Sequence, residues 1–338
     1  MKPALRRVLK ILATFMILIV AGCWYAGCQM MSMPGKSFAG PLPMLTPAQT
    51  ALRDQLRAHV QALASDIGER NIRNYEQLKA SADYIERALR GFGYQQVDSQ
   101  TFAVSGRDVR NLSVEIRGKN TPDEIVIVGA HYDAVGGCPA ANDNGSGVAA
   151  TLELARRAVN SKPGRTLRFV FFVNEEPPHF QTEQMGSLVY ARACRARNEN
   201  IVAMFSLETI GYFDDTPGSQ KYPAPLGAFY PDRGNFIAFV GNFGNRAFVR
   251  ESVKSFRAHA QFPSEGGAMP ESLPGIGWSD HWSFAQVGYP ALMITDTAPF
   301  RYPHYHTPQD TIDKIDFDRM TRVVSGFQSV LDDVTNRK

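Results

Sequence analysis

The chain has 338 residues, of which 44% are hydrophobic and 20% charged, a balance that suits a large globular domain and excludes a disordered or collagen-like chain. Its net charge of +3 is gathered at the N-terminus, where Lys2, Arg6, Arg7 and Lys10 all precede the first acid, Asp54. Without those four the chain carries 32 basic and 33 acidic residues, a net of −1, which excludes a nucleic-acid binder driven by phosphate contacts.

The basic start runs into residues 11–22, a nearly pure apolar stretch of twelve. A bilayer span takes about 20 residues, so charge, short apolar run and small residues together read as a secretory signal. The end of the stretch, V-A-G-C from Val20 to Cys23, resembles a bacterial lipoprotein signal, in which the Cys is lipidated and becomes the new N-terminus. An uncleaved anchor reaching about Cys28 is the alternative. Either way the rest of the chain is exported, to the periplasmic or cell-envelope side in a bacterium, and residues 1–28 carry any membrane contact. Residues 29–45, rich in Met, Pro, Gly and Ser, read as a tether. Cys138 and Cys194 remain for the folded part, where an oxidising compartment permits them to pair.

Thr46 followed by Pro47 is a helix start, an N-cap and then a first-turn proline. Helical spacing runs to about Ala64 and again over 75–90, stopping at Gly91. Strand-like runs then cover 96–104, 111–117, 124–129, 166–173, 201–210, 235–240 and 290–295. Helical runs cover 147–159, 183–197, 246–258 and 317–334. Strands alternating with helices of ten or more residues argue an α/β domain with a largely parallel sheet. No repeat and no boundary follows residue 46, so residues 46–338 form one domain. Residues 212–234, rich in Pro, Gly and Asp, are either a wall of a site or a surface insertion.

The residues that carry chemistry follow or end these strands. The strand E-I-V-I-V-G-A leads into H-Y-D, His131 to Asp133. Residues two apart in an extended chain face the same side, so Asp133 can hold the far nitrogen of a metal-bound imidazole. A-N-D-N-G-S-G, residues 141–147, stands directly before a helix, and Asp143 or Asn144 could simply cap it. The strand R-F-V-F-F-V ends in Glu175 and Glu176, adjacent carboxylates that are costly after an apolar run unless a cation receives them. Glu208 stands inside A-M-F-S-L-E-T-I-G and needs a partner for the same reason. Y-P-A-L-M-I-T-D-T leads to H-Y-H-T-P-Q-D-T, with His304 and His306. The carboxyl ends of strands form the ligand crevice in open α/β sheets. Two His and three carboxylates converging there suit zinc, and five ligands exceed the usual three of one catalytic zinc. Two metals sharing a carboxylate account for five. Cys138 lies close by but is a weaker candidate ligand than these.

The ordered set H-x-D, D-N-G-S-G, E-E, L-E-x-I-G, S-D-H and Y-H-T resembles the di-zinc aminopeptidase family of metallopeptidase clan MH, which includes aminopeptidase Y and secreted bacterial leucyl-type aminopeptidases. The resemblance covers about residues 50–335. It implies a three-layer αβα domain around a mixed, largely parallel eight-stranded sheet, and hydrolysis of N-terminal residues from peptide substrates. By this resemblance His131 and Glu208 bind one Zn2+, Glu176 and His306 bind a second, and Asp143 bridges the two. Glu175 is then the general base, and Asp133 orients His131. Asp280, in the S-D-H motif with His281, stands behind the site or in its wall. Many relatives have Asp at the position of Glu208, Gly at that of Ala140, and a single His where this chain has both His304 and His306. The resemblance further implies a cis peptide bond between Asp143 and Asn144. Glutaminyl-cyclase-like and carboxypeptidase activities share the core, Arg301 being either a holder for a substrate carboxylate or a surface residue. A metal-free binding module is the reading outside enzymes.

Overall fold

The computed structural model describes residues 3–337. Helix α1 spans Pro3–Met31, longer than the expected leader. Its side chains at Ile11, Leu12, Phe15, Met16, Ile17, Leu18 and Ile19 are exposed. Among the described residues no helix is long and apolar enough to cross a membrane. The side chains of Cys23 and Cys28 lie outside the described set. The expected tether lacks regular structure over 32–45, yet it is fastened to the domain. Arg257 donates to the carbonyls of Pro34 and Gly35, Ser37 accepts from the Ser264 amide, and Arg322 donates to the Pro43 carbonyl.

Helix α2, Pro47–Val60, begins as the sequence indicates. Thr46 and Gln49 form a reciprocal capping box, and Pro47 sits at the first turn, where its missing N–H costs nothing. The helix widens over Gln61–Ile67 and stops at Gly68, whose φ of 84° leaves the helical region. Helix α3 follows over Tyr75–Gly91. Strands β1, Asp98–Val104, and β2, Arg107–Ile116, form a hairpin. Ser105 and Gly106 both take positive φ between them, as a two-residue turn with the right twist requires.

Then come β3 (Thr121–His131), α4 (Gly147–Ala158), β4 (Arg165–Phe172), α5 (Gly186–Ala196) and β5 (Asn200–Glu208). Next are β6 (Ile237–Asn242), α6 (Arg246–His259), β7 (Ser264–Met269) and α7 (His281–Gln286). The chain closes with β8 (Ala291–Thr295), α8 (Ala298–Arg301) and α9 (Phe317–Asn336). The strands form one eight-stranded sheet of order β1-β2-β4-β3-β5-β8-β6-β7. The centre, β4-β3-β5-β8, is parallel, as is β6-β7; the other pairs are antiparallel. Three elements escaped the sequence pattern, among them α8, a single turn of four residues. Strand β7 reads S-E-G-G-A-M, with no β-branched residue and two glycines, and α7 is too short to show a period.

Helices cover both faces, which is why the central strands are apolar on both sides. On β3, Val126, Val128 and Ala130 join the large core formed with α2, α4, α6 and α9, while Ile125 and Ile127 join a smaller core under α5 and α7. Cys138 and Cys194 are both buried and unpaired.

Candidate metal centre

The carboxyl ends of β3, β4 and β5 meet at the middle of the sheet, and the loop after α8 folds over them. Two groups of side chains result. His131, Asp143 and Glu208 form one, and Asp143, Glu176 and His306 the other; within each group the candidate ligand atoms all lie within 4.8 Å of one another. His131 Nε2 is 3.3 Å from Asp143 Oδ1 and 3.3 Å from Glu208 Oε2. His306 Nε2 is 3.0 Å from Asp143 Oδ2 and 3.2 Å from Glu176 Oε2. Asp143 thus presents one oxygen to each histidine. His304 belongs to neither group; its ring stands edge-on to Tyr302. Cys138 is in neither group, and burial pushes its thiol up to about 12.

Asp133 holds two backbone amides and stands beside His131. One oxygen lies 3.5 Å from His131 Nδ1, and its two oxygens accept the backbone N–H groups of Glu175 and Glu176, each at 3.1 Å. Adjacent residues of extended chain point to opposite sides, so anchoring both amides lets Glu176 face His306 while Glu175 Oε2 stands 3.9 Å from His131 Nε2. Glu208 is steadied by Ser279, whose hydroxyl donates to its Oε2 at 2.7 Å. Asp280 is fully buried with neither oxygen hydrogen-bonded, and burial raises it to about 7. Its charge acts on His131 and Glu175. His281 turns away to the Ile276 carbonyl, at 2.7 Å.

The loop that carries Asp143 is held from two sides. Asp310 accepts from the amides of Asn142 and Asp143, at 2.8 and 3.0 Å, and from the Tyr302 hydroxyl. Arg70, fully buried, donates to the carbonyls of Tyr132, Leu63, Gly68, Pro139 and Ala140. Ala140 takes a left-handed φ of 57°, unusual without a glycine; its carbonyl is fixed by Arg70 and by the Gly145 amide. The Asp143–Asn144 peptide bond is cis, as the resemblance implies. Asn174, Thr209 and His306, beside or among the cluster, also take positive φ. Such strained backbone gathers where a site is over-determined by its surroundings.

Electrostatically the cluster is acid-rich. Burial raises Glu176 and Glu208 to about 7 and lifts Glu175 well above the ordinary carboxylate range. Against burial, the adjacent His131 and His306 imidazoles hold Asp143 well below its ordinary value, and the carboxylates lift His306 to about 10. Asp143 Oδ1, Glu176 Oε1 and His306 Nε2 are nonetheless buried without a hydrogen-bond partner. Two imidazoles and three carboxylates, close together with donor atoms unsatisfied, fit divalent cations that take nitrogen and oxygen.

A cleft of about 820 Å³, counting its open mouth, leads away from Glu208, and Tyr305, stacked on His306 at 3.8 Å, also lines it. Much of its wall comes from the 212–234 segment, through Gln220, Tyr222, Pro223, Leu226 and Tyr230. That segment is therefore a wall of the site. Arg301 is neither at the surface nor in the cleft. It is buried behind the wall, donating to Gln220 Oε1 at 2.7 Å and to the Phe236 carbonyl at 2.8 Å. Arg70 and the joint grip of Asp310 were not legible in the sequence, because each acts on backbone groups far along the chain.

The sequence pattern of peptidase family M28 matches residues 111–330. The chain is 36% identical over 287 residues to YfbL of Escherichia coli, an uncharacterized protein, covering 82% of this chain and 87% of that one. It is 27% identical to a probable leucine aminopeptidase of Trichophyton verrucosum, covering 77% of this chain and 66% of the fungal protein. In structure it is similar to a zinc aminopeptidase from Bacillus subtilis, with a TM-score of 0.67 at 17% identity, covering 84% of this chain and 95% of the other. The glutaminyl cyclase of Porphyromonas gingivalis shares the fold with a TM-score of 0.63 at 20% identity, covering 83% of this chain and 98% of the other.

Proposed function

The chain belongs to peptidase family M28, and from this membership we propose a zinc-dependent aminopeptidase that removes N-terminal residues from peptides outside the cytoplasm. The observation that carries the reading is Asp143, shared by two groups of candidate ligands. His131, Asp143 and Glu208 would hold one zinc, and Asp143, Glu176 and His306 the second. Bound zinc supplies Lewis-acid polarisation of a carbonyl and acidifies water.

The rest falls to the chain's own side chains. Glu175 belongs to neither ligand group, yet its carboxylate faces the cluster from a backbone pinned by Asp133. A carboxylate raised by burial takes a proton from water more readily than an ordinary one, and can hand it on to the leaving amine. Asp133 keeps His131 oriented. The apolar cleft beside Glu208 excludes water from the N-terminal side of the scissile bond.

The reading is tested with the zinc-loaded full chain and a peptide pool with free and acetylated N-termini, amidated C-termini and an N-terminal Gln, followed by mass spectrometry. Stepwise loss from free N-termini is expected, and Glu175→Gln should lower the rate at least a hundredfold while zinc content stays the same. Equal turnover by variant and parent would refute the base. Loss of ammonia from Gln would establish the cyclase instead, and trimming from C-termini the carboxypeptidase.

A further inference from the structure

The cleft follows a single row of the sheet. Glu208 on β5 is in register with Thr295 on β8, Thr295 with Ala238 on β6, and Ala238 with Glu265 on β7. Residues in register on neighbouring strands project to the same face, and all four line the cleft. With strands about 4.8 Å apart, the Cα atoms of the two glutamates are separated by about 14 Å. Only a threonine and an alanine stand between them, so the row is a trough with a carboxylate at each end.

Glu208 belongs to the metal centre; the catalytic chemistry makes no use of Glu265. Its nearest cation, Arg257, approaches at 3.5 Å. That guanidinium directs its N–H groups to the carbonyls of Pro34, Gly35 and Ser264 and to the Ser264 hydroxyl. Burial raises the Glu265 carboxyl above its ordinary value, against the opposing pull of Arg257 and of a hydrogen bond from Ser37. Tyr222 and Tyr230 stack nearby at 5.7 Å between centroids and donate their hydroxyls to the Pro231 and Gly266 carbonyls. Their oxygens are left as acceptors, and their rings offer faces to a cation.

An apolar trough ending in a carboxylate and two phenol oxygens fits a long aliphatic stem with a positive tip. A wholly apolar side chain would cover the carboxylate without pairing it, at a desolvation cost. We propose that the cleft selects peptides whose N-terminal residue is lysine or arginine, with Glu265 receiving the side-chain cation; this rests on the aminopeptidase reading above. A lysine side chain has five single bonds of about 1.5 Å and reaches roughly 6 Å from its Cα. With the scissile carbonyl at the metal centre, that length carries the tip along the trough toward Glu265, which lines its far end.

The test compares kcat/KM for fluorogenic amides of lysine, arginine, norleucine and leucine, using the zinc-loaded full chain and Glu265→Gln. Norleucine has the lysine stem without the charge, and the lysine-to-norleucine ratio within each protein cancels any loss of folding common to both substrates. The parent should favour lysine and arginine over norleucine by about tenfold, the scale of a charge-assisted hydrogen bond, and the ratio should fall to about one in the variant. The parent offers the same readout without substitution, because added salt should lower its lysine-to-norleucine ratio. A parent that prefers norleucine, or a ratio unmoved by Glu265→Gln or by salt, overturns the proposal while leaving the aminopeptidase intact. Failure to turn over any of the four amides overturns the aminopeptidase reading, and the specificity with it.

Discussion

Arg70→Met isolates what the buried guanidinium does for the metal centre. Five carbonyls receive its N–H groups, but Leu63 keeps the Gly68 amide and Ala140 keeps the Gly145 amide as donors. The Tyr132 carbonyl loses this donor in a buried setting, at about 1–3 kcal/mol, and those of Gly68 and Pro139 in a half-buried one where water replaces part of the loss. Asp133 and Asp310 also lose the buried cation whose charge they share, and leaving buried charge uncompensated costs about 3–5 kcal/mol in all. For a domain of this size about 2 °C accompanies each kcal/mol, and the melting temperature of the metal-free protein should fall by about 6–10 °C. With zinc bound the drop should be smaller. Metals then hold Asp143 and neutralise the acids whose field Arg70 now meets, chief among them Asp133, Asp310 and Asp143. Arg70→Lys keeps the charge but not the planar fork and should recover only part of the loss. Differential scanning calorimetry with and without zinc reads all of this. A melting temperature of the metal-free Met variant within about 1 °C of the parent would show that the guanidinium does not brace the loop.

Zinc affinity should rise with pH between 6 and 8. Glu176 and Glu208 are raised to about 7 by burial and His306 is lifted to about 10 by its carboxylates, so at pH 6 all three hold protons that a metal must displace. Raising the pH removes the competitor, strengthening binding by about tenfold per unit for each proton released. Chelator competition at three pH values measures it, and a flat profile would contradict the ligand set. At the N-terminus, export with lipidation at Cys23 predicts a mature chain beginning at that residue with added acyl mass. Mass spectrometry of the protein from membranes would decide this, a chain still carrying residues 1–22 favouring the uncleaved anchor.

The histidine and carboxylate positions were legible because they are tied to features a one-dimensional pattern records. For His131, Glu175, Glu176 and Glu208 an apolar run identifies a strand of the buried sheet, and the polar residue that ends or follows it lies at that strand's carboxyl end; Asp143 and His306 stand in loops, and the ordered motifs of the resemblance singled them out. Spacing then sets direction: Asp133 is two residues from His131 and faces the same way, and Glu175 and Glu176, being neighbours, face apart. Thr46, Pro47 and Gln49 announced a helix start for the same local reason. Tertiary structure alone decided what depends on groups distant along the chain. Arg70 reaches carbonyls at Tyr132 and Ala140 through its position between two loops. Asp310 reaches the amide of Asp143, and Arg250, Arg257 and Arg322, by donating to the Ser32, Pro34 and Pro43 carbonyls, fasten a segment that composition marks as loose. The row from Glu208 to Glu265 exists because β8 and β6 come between β5 and β7 in one particular register. Strand order and register are set by packing across the whole sheet, so a trough with a carboxylate at each end leaves no mark in any window of the sequence.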